Sequence, residues 1–418
     1  MTMNDELLRQ AGLENIEEVA RLIEEGAFID VQDKDGRTPL MIAVQKNNLE
    51  LATLLMEKGA NLNIRDNTML SPWLCAGANG FHRILEKALA FSPDLKSVNR
   101  FGGTVLLPSS EKGYLKTVEV GIKAGVPVNH VNDLGWSALQ EAVILGNESF
   151  LYSDIVRKLM ENGARPHDVD HDGNSPIEVA RKRGNEKVLS ILEQREPKKV
   201  PAVLEARRLI EENHYEEALK VLDTLVKEEK TALEAYYLKG YVYTLKVEYD
   251  KALEAYLEGA KLPKALPEFY FYTANTLRLM KKSEEALREY EKAIEMNPQD
   301  FFYRYHMSNY LRELGMHEAA VKTMDDLLEL DPPRYDYCFH KANSLRSLGR
   351  HEEAVEAMDK AIVLDKGNSL YVFHKAQSLH LLGRLEEAKE LLNLALSMKQ
   401  SPVYEAELSR VEEKLEAR

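Results

Sequence analysis

Two cysteines in 418 residues leave no disulfide framework to hold this chain. Cys75 and Cys338 lie in different halves, and their scarcity points to a reducing, cytoplasmic setting. Also missing is any apolar run approaching the roughly 18 residues that would span a membrane. The segment Met1 to Gln10 is polar, without the apolar centre of an export signal. There is no basic excess either: 55 Lys and Arg stand against 69 Asp and Glu, a net charge of −14. Residues 1–195 carry 22 against 28 and the remainder 33 against 41, so the halves stand at −6 and −8. Neither has the cationic footprint of a duplex-binding domain. Phosphate loops, dinucleotide glycine motifs, H-E-x-x-H and G-x-S-x-G are all absent, so the sequence reads as non-catalytic and free of cofactors.

What the chain has instead is self-similarity. Asp33 to Arg65 reads DKDGRTPLMIAVQKNNLELATLLMEKGANLNIR. Thr38 can cap a helix and Pro39 suits its first turn. Leu51, Leu54 and Leu55 form the apolar stripe of a second helix, and Gly59 ends it. The start recurs at 33-residue steps as Ser71-Pro72-Trp73, Thr104-Val105-Leu106 and Ser137-Ala138-Leu139, then as Ser175-Pro176-Ile177. Gly59-Ala60, Gly125-Val126 and Gly163-Ala164 mark helix ends, and Leu7, Leu8, Val19, Leu22 and Ile23 form an N-terminal half-cap. The units starting near Asp66 and Asn99 depart most from the pattern, and the one near Asn132 carries extra residues around Asn147–Ser153. This series resembles the ankyrin repeat, with about six units across 4–193. The resemblance implies stacked helix pairs with exposed hairpin tips.

The C-terminal half keeps a 34-residue ruler. Ala218, Ala252, Ala286, Ala320, Ala354 and Ala388 fall on it. So do the small residues Gly240, Ala274, Ser308, Ala342 and Ala376, and the large ones Tyr243, Leu277, Leu311, Leu345 and Leu379. Tyr256, Tyr290, Met324, Met358 and Leu392 form a fourth register. Small residues let helices approach and large ones fill the space beside them. Pro298 and Pro332 are expected to end second helices. Glu284-Glu285 and Glu352-Glu353 open second helices, where they complement the dipole and are not acid–base pairs. This half resembles the tetratricopeptide repeat (TPR) family: six units over 202–400, a C-terminal capping helix over 401–418 carrying Leu408, Val411 and Leu415, and a linker over 194–201. The expected fold is therefore all-α, an ankyrin array followed by a TPR superhelix.

Three stripes recur in phase on the first TPR helices. Phe271, Tyr305, Phe339 and Phe373, with Tyr272, His306, His340 and His374 beside them, are aromatic or histidine. Asn275, Asn309, Asn343 and Gln377 are amides, and Arg278, Arg312, Arg346 and His380 are basic. Their spacing puts them on one helix face. Asparagine is a poor helix former, so three in phase point to a need for the amide, which matches a peptide unit in having both donor and acceptor. In related TPR proteins such asparagines bind the backbone of an extended peptide, and the arginines would favour an acidic one. The aromatics stand where that family's chaperone-tail clamp has a lysine, which argues against chaperone C-termini. The expected ligand is an extended acidic peptide anchored by the rings. Single-stranded RNA is the alternative occupant, against which the overall acidity argues. The four histidines lack the close spacing of a metal site.

On the ankyrin side, Arg37, Leu70 and Trp136 precede the T-P-L-like starts and are expected to present a second partner surface, with Trp136 an anchor. Trp73 and the two cysteines read as core.

Overall fold

The computed structural model describes residues 2–197, 199–263, 266–330 and 334–417. Among them the chain is helical, its one strand-like feature an isolated bridge between Val131 and Ser137. It divides into two compact units, Met1–Glu196 and Pro197–Arg418.

The first unit is a series of helix pairs: α1 (Met3–Gly12) and α2 (Ile16–Glu24), α3 (Pro39–Gln45) and α4 (Leu49–Glu57), α5 (Pro72–Ala78) and α6 (His82–Ala88), α7 (Leu106–Glu111) and α8 (Leu115–Ala124), α9 (Ala138–Ile144) and α10 (Phe150–Glu161), α11 (Pro176–Lys182) and α12 (Glu186–Leu192). Each start follows from local chemistry. Thr38, Ser71, Ser137 and Ser175 accept the backbone N–H of the third residue beyond, capping α3, α5, α9 and α11. Thr104 does not follow them: its hydroxyl has no hydrogen-bond partner among the described residues, and α7 begins later, at Leu106. Gly59 ends α4 at φ 92°, where an L side chain is disfavoured, and Ser92 takes the same left-handed region in the next unit. The extra residues near Asn147 lengthen α10, and Tyr152, fully buried, donates its hydroxyl to the Glu111 carbonyl at 2.5 Å.

Between pairs lie hairpin turns built on one repeated device. Asp33, Asp66, Asn99, Asn132 and Asp170 each accept backbone N–H groups two and four residues ahead, as Asp33 does from Asp35 at 2.9 Å and Arg37 at 2.8 Å. The turns stack on one another through bonds such as Asn67 N–H to the Asp35 carbonyl, 3.0 Å.

The second unit runs α13 (Pro201–Glu211), α14 (Tyr215–Leu225), α15 (Ala232–Leu245), α16 (Tyr249–Ala260), α17 (Glu268–Leu279), α18 (Ser283–Met296), α19 (Phe301–Glu313), α20 (His317–Leu330), α21 (Tyr335–Ser347), α22 (His351–Leu364), α23 (Ser369–Leu381), α24 (Leu385–Met398) and α25 (Pro402–Glu416). Each helix packs on the next, as a one-dimensional repeat requires. All six ruler alanines are fully buried, and so are Met324, Met358 and Leu392. A Cβ on Gly240 would stand 2.2 Å from the Tyr256 ring, which is why that register stays small. Tyr243 departs from its register: it is half-buried, with Lys251 over its ring, and Val242 fills the core instead. α18 stops two residues before Pro298, whereas Pro332 lies outside the described residues. Tyr404, Glu407 and Val411 bury α25 against α24 and α23.

Candidate functional site

The first helices of the second unit expose a narrow face. On α17, α19, α21 and α23 the residues left partly open include Asn275 and Arg278, Asn309 and Arg312, Asn343 and Arg346, and Gln377. Their spacing of three along each helix puts amide and base side by side, and the repeat brings successive pairs into line.

The rings do not join them. Phe271, Tyr305, Phe339 and Phe373 are at most 4% exposed, so the expectation that they anchor a ligand is corrected. Each ring reaches the first helix of the following unit. Phe271 meets Phe302 at 4.8 Å and His306 at 5.2 Å between ring centroids. Tyr305 meets Tyr337 and His340, and Phe339 meets Tyr371 and His374. Phe373 stacks on Tyr404 of α25 at 4.4 Å. The column is therefore inter-repeat packing, with edge-to-face and tilted geometry. Tyr272, also buried, donates its hydroxyl to Glu268 at 3.1 Å. His306, His374 and His380 are buried as well.

The polar stripes are partly tied down by this stack. Tyr290 donates to the Asn275 Oδ1 at 2.7 Å. Arg278 pairs with Glu313 at 2.8 Å and lies over the Tyr310 ring. Arg312 donates to Asn309 Oδ1 at 3.0 Å and to His340 Nδ1, in the next repeat, at 2.7 Å. Arg346 makes the same step to His374, whose Nδ1 also lies 3.0 Å from the Gln377 amide. The last rung differs: His380 Nδ1 meets Glu407 at 2.7 Å. Asn343 makes no side-chain hydrogen bond among the described residues, so its whole amide remains available. The Arg–His rungs between repeats are the feature that sequence alone did not bring out. Their signal was present in the 28-residue offset from each arginine to the next histidine.

The ankyrin surface is also revised. Trp136 is 4% exposed and donates its indole N–H to Asp170, so it is not an open anchor. Arg37 is half-exposed and paired with Asp33 at 2.7 Å and Asp35 at 3.2 Å. Leu70 is half-buried at its hairpin. Phe101 and Leu134, at two other hairpin tips, keep part of their apolar surface open, and Arg100 lies over the Phe101 ring. Trp73 is core, 1% exposed. Burial pushes the Cys75 thiol up to about 12 and raises Cys338, which disfavours the thiolate at both positions. Among the described residues no group of three or more His, Cys, Asp or Glu side chains could hold a metal ion, and no helix is long and apolar enough to cross a membrane.

Residues 7–66 match the family model described as ankyrin repeats (3 copies). Three models described as tetratricopeptide repeat match residues 203–267 and 338–404, 267–300, and 303–334. YahD of Escherichia coli (strain K12), named as an ankyrin repeat protein, is 35% identical over 179 residues, covering 43% of this chain and 89% of its own. An ankyrin repeat domain from Acinetobacter baumannii AYE, solved by crystallography, is 43% identical, covering 45% of this chain and 96% of that one, with a TM-score of 0.44. A second crystallised ankyrin repeat protein is 37% identical over 46% of this chain and 97% of its own, also with a TM-score of 0.44.

Proposed function

Because this chain belongs to the ankyrin-repeat proteins and carries tetratricopeptide repeats in its C-terminal half, we propose that it is a non-catalytic scaffold with two partner surfaces. Both repeat types are protein-interaction modules. One partner is an extended, acidic peptide lying along the open face of α17 to α23. The other docks on the ankyrin hairpins through Arg37, Leu70 and, in place of Trp136, Phe101 and Leu134. Holding both at once raises the effective concentration of each for the other.

The observation that carries the peptide reading is the contrast between neighbouring stripes. The rings are consumed by packing, whereas Asn309, Asn343 and Gln377 stay half-exposed in phase, and Asn343 retains both its donor and its acceptor. A backbone peptide unit needs that combination. The guanidiniums of Arg312 and Arg346, which donate to the Asn309 amide and to the imidazoles of the next repeat, stand in phase beside those amides, and a guanidinium favours a carboxylate.

The test is fluorescence anisotropy with a labelled oligoaspartate on the full chain. Wild type should bind, and Asn343→Ala should weaken binding by about fivefold or more while the unfolding midpoint stays within about 2 °C. Equal binding by wild type and variant would sink the assignment of the amide stripe. Preference for oligouridylate over oligoaspartate would replace the peptide with single-stranded RNA.

A further inference from the structure

The pair α7 and α8 departs from the other ankyrin pairs in the chemistry of its core. Six residues past the Thr or Ser that opens each unit, α3 carries Val44, α5 Gly77 and α9 Val143, but α7 carries Ser110. Three residues past the N-cap of each second helix, α4 has Leu51, α6 Ile84, α10 Tyr152 and α12 Val188, but α8 has Thr117. Every one of these positions is buried. Thr104, Ser110 and Thr117 are at most 1% exposed, and none of their hydroxyls has a hydrogen-bond partner among the described residues. Ser109 alone is satisfied, by the Gly77 carbonyl at 3.0 Å and the Val105 carbonyl at 2.7 Å. A hydroxyl taken out of water without a new bond leaves its desolvation uncompensated. Of the six pairs, this is also the one in which neither helix has a side-chain N-cap.

We propose that α7–α8 is a yielding joint built into the ankyrin array: an interior pair that opens before its neighbours and uncouples α1–α6 from α9–α12. A stacked pair touches only the pairs beside it, so the cost of opening one is set by its own core and its two interfaces. Three unsatisfied hydroxyls and two uncapped helix starts lower that cost here and nowhere else along the array to the same degree. What fastens the pair comes largely from across its borders. Lys112 donates to the Ala78 carbonyl of the preceding pair at 2.9 Å, and Tyr152 of the following pair donates to the Glu111 carbonyl at 2.5 Å. Opening releases both bonds together. The hairpins built on Asp33 and Asp66 then move with one part of the array, and those built on Asn132 and Asp170 with the other.

The test is native-state hydrogen exchange on the full chain, read helix by helix by mass spectrometry. After correction for intrinsic rates, the protected amides of α7 and α8 should exchange about tenfold or more faster than those of α5, α6, α9 and α10. Ser110→Ala/Thr117→Val deletes two of the hydroxyls at nearly constant volume. It should slow exchange in α7 and α8 by about tenfold and leave α3 and α4 within about twofold of wild type. Protection of α7–α8 equal to that of its neighbours in wild type overturns the proposal. A fast α7–α8 that the double substitution leaves unchanged overturns it as well, because the buried hydroxyls are then not the cause.

Discussion

The Trp136 indole donates its N–H to the Asp170 carboxylate at 3.1 Å, across 34 residues of sequence. Asp170 is also the residue that shapes the next hairpin, accepting from the N–H groups of Asp172 and Asn174. One bond thus ties the side chain of one turn to the backbone geometry of the following one.

Trp136→Ala should cost about 3–5 kcal/mol, because a buried aromatic is lost and a buried carboxylate oxygen loses its donor. Trp136→Phe keeps most of the volume and should cost about 1–3 kcal/mol, chiefly through that donor. Urea denaturation followed by circular dichroism checks both. A change below about 0.5 kcal/mol for Trp136→Ala would return the residue to the surface as a partner anchor.

The second unit offers a sharper steric test. A Cβ on Gly259 would stand 2.2 Å from the ring of Phe269, itself fully buried and unable to move aside. Overpacking of about 1–3 kcal/mol opposes a helix-propensity gain of about 1 kcal/mol, so Gly259→Ala should be destabilising on balance. Gly12, with nothing within 4 Å of its built Cβ and no positive φ, is the control: Gly12→Ala should be neutral or slightly stabilising by the same denaturation measurement.

His82 gives the ankyrin unit a pH dependence of calculable sign. Burial, and then the Lys116 ammonium, push it down to about 4, against an ordinary value near 6.5. The unfolded chain therefore binds the proton first. The contribution is fully present above about pH 6.5 and is lost as pH falls from there toward 4. Unfolding midpoints over that window should fall in wild type and fall less in His82→Asn; parallel curves would show that this imidazole is solvated.

Much of the fold was legible because repeats are local. Thr38 and Pro39, Gly59, and the six buried alanines each act within a single helix pair, where spacing and residue type suffice. The failures at Phe339 and Trp136 share a cause: each side chain leaves its own unit. Phe339 carries the phase of an open helix face, yet its ring meets Tyr371 at 5.3 Å in the next repeat. Trp136 sits where hairpin tips are usually wet, and a carboxylate from the following turn draws it in. Thr104 has the right identity for a cap, yet its hydroxyl finds no partner among the described residues and the helix starts beyond it, at Leu106. For the candidate site, periodicity identified the amides that remain open but could not separate them from rings of the same period. Only the direction of each side chain between helices does that.

Glu407 lies 34 residues after Phe373, at the place in α25 where each preceding first helix from α17 on has an aromatic ring. It accepts from His380 and Arg410 instead of offering a hydrophobic shelf. A ring invites another helix to settle on it, whereas a satisfied carboxylate leaves nothing to settle on. The aromatic column that joins one repeat to the next therefore stops at α25.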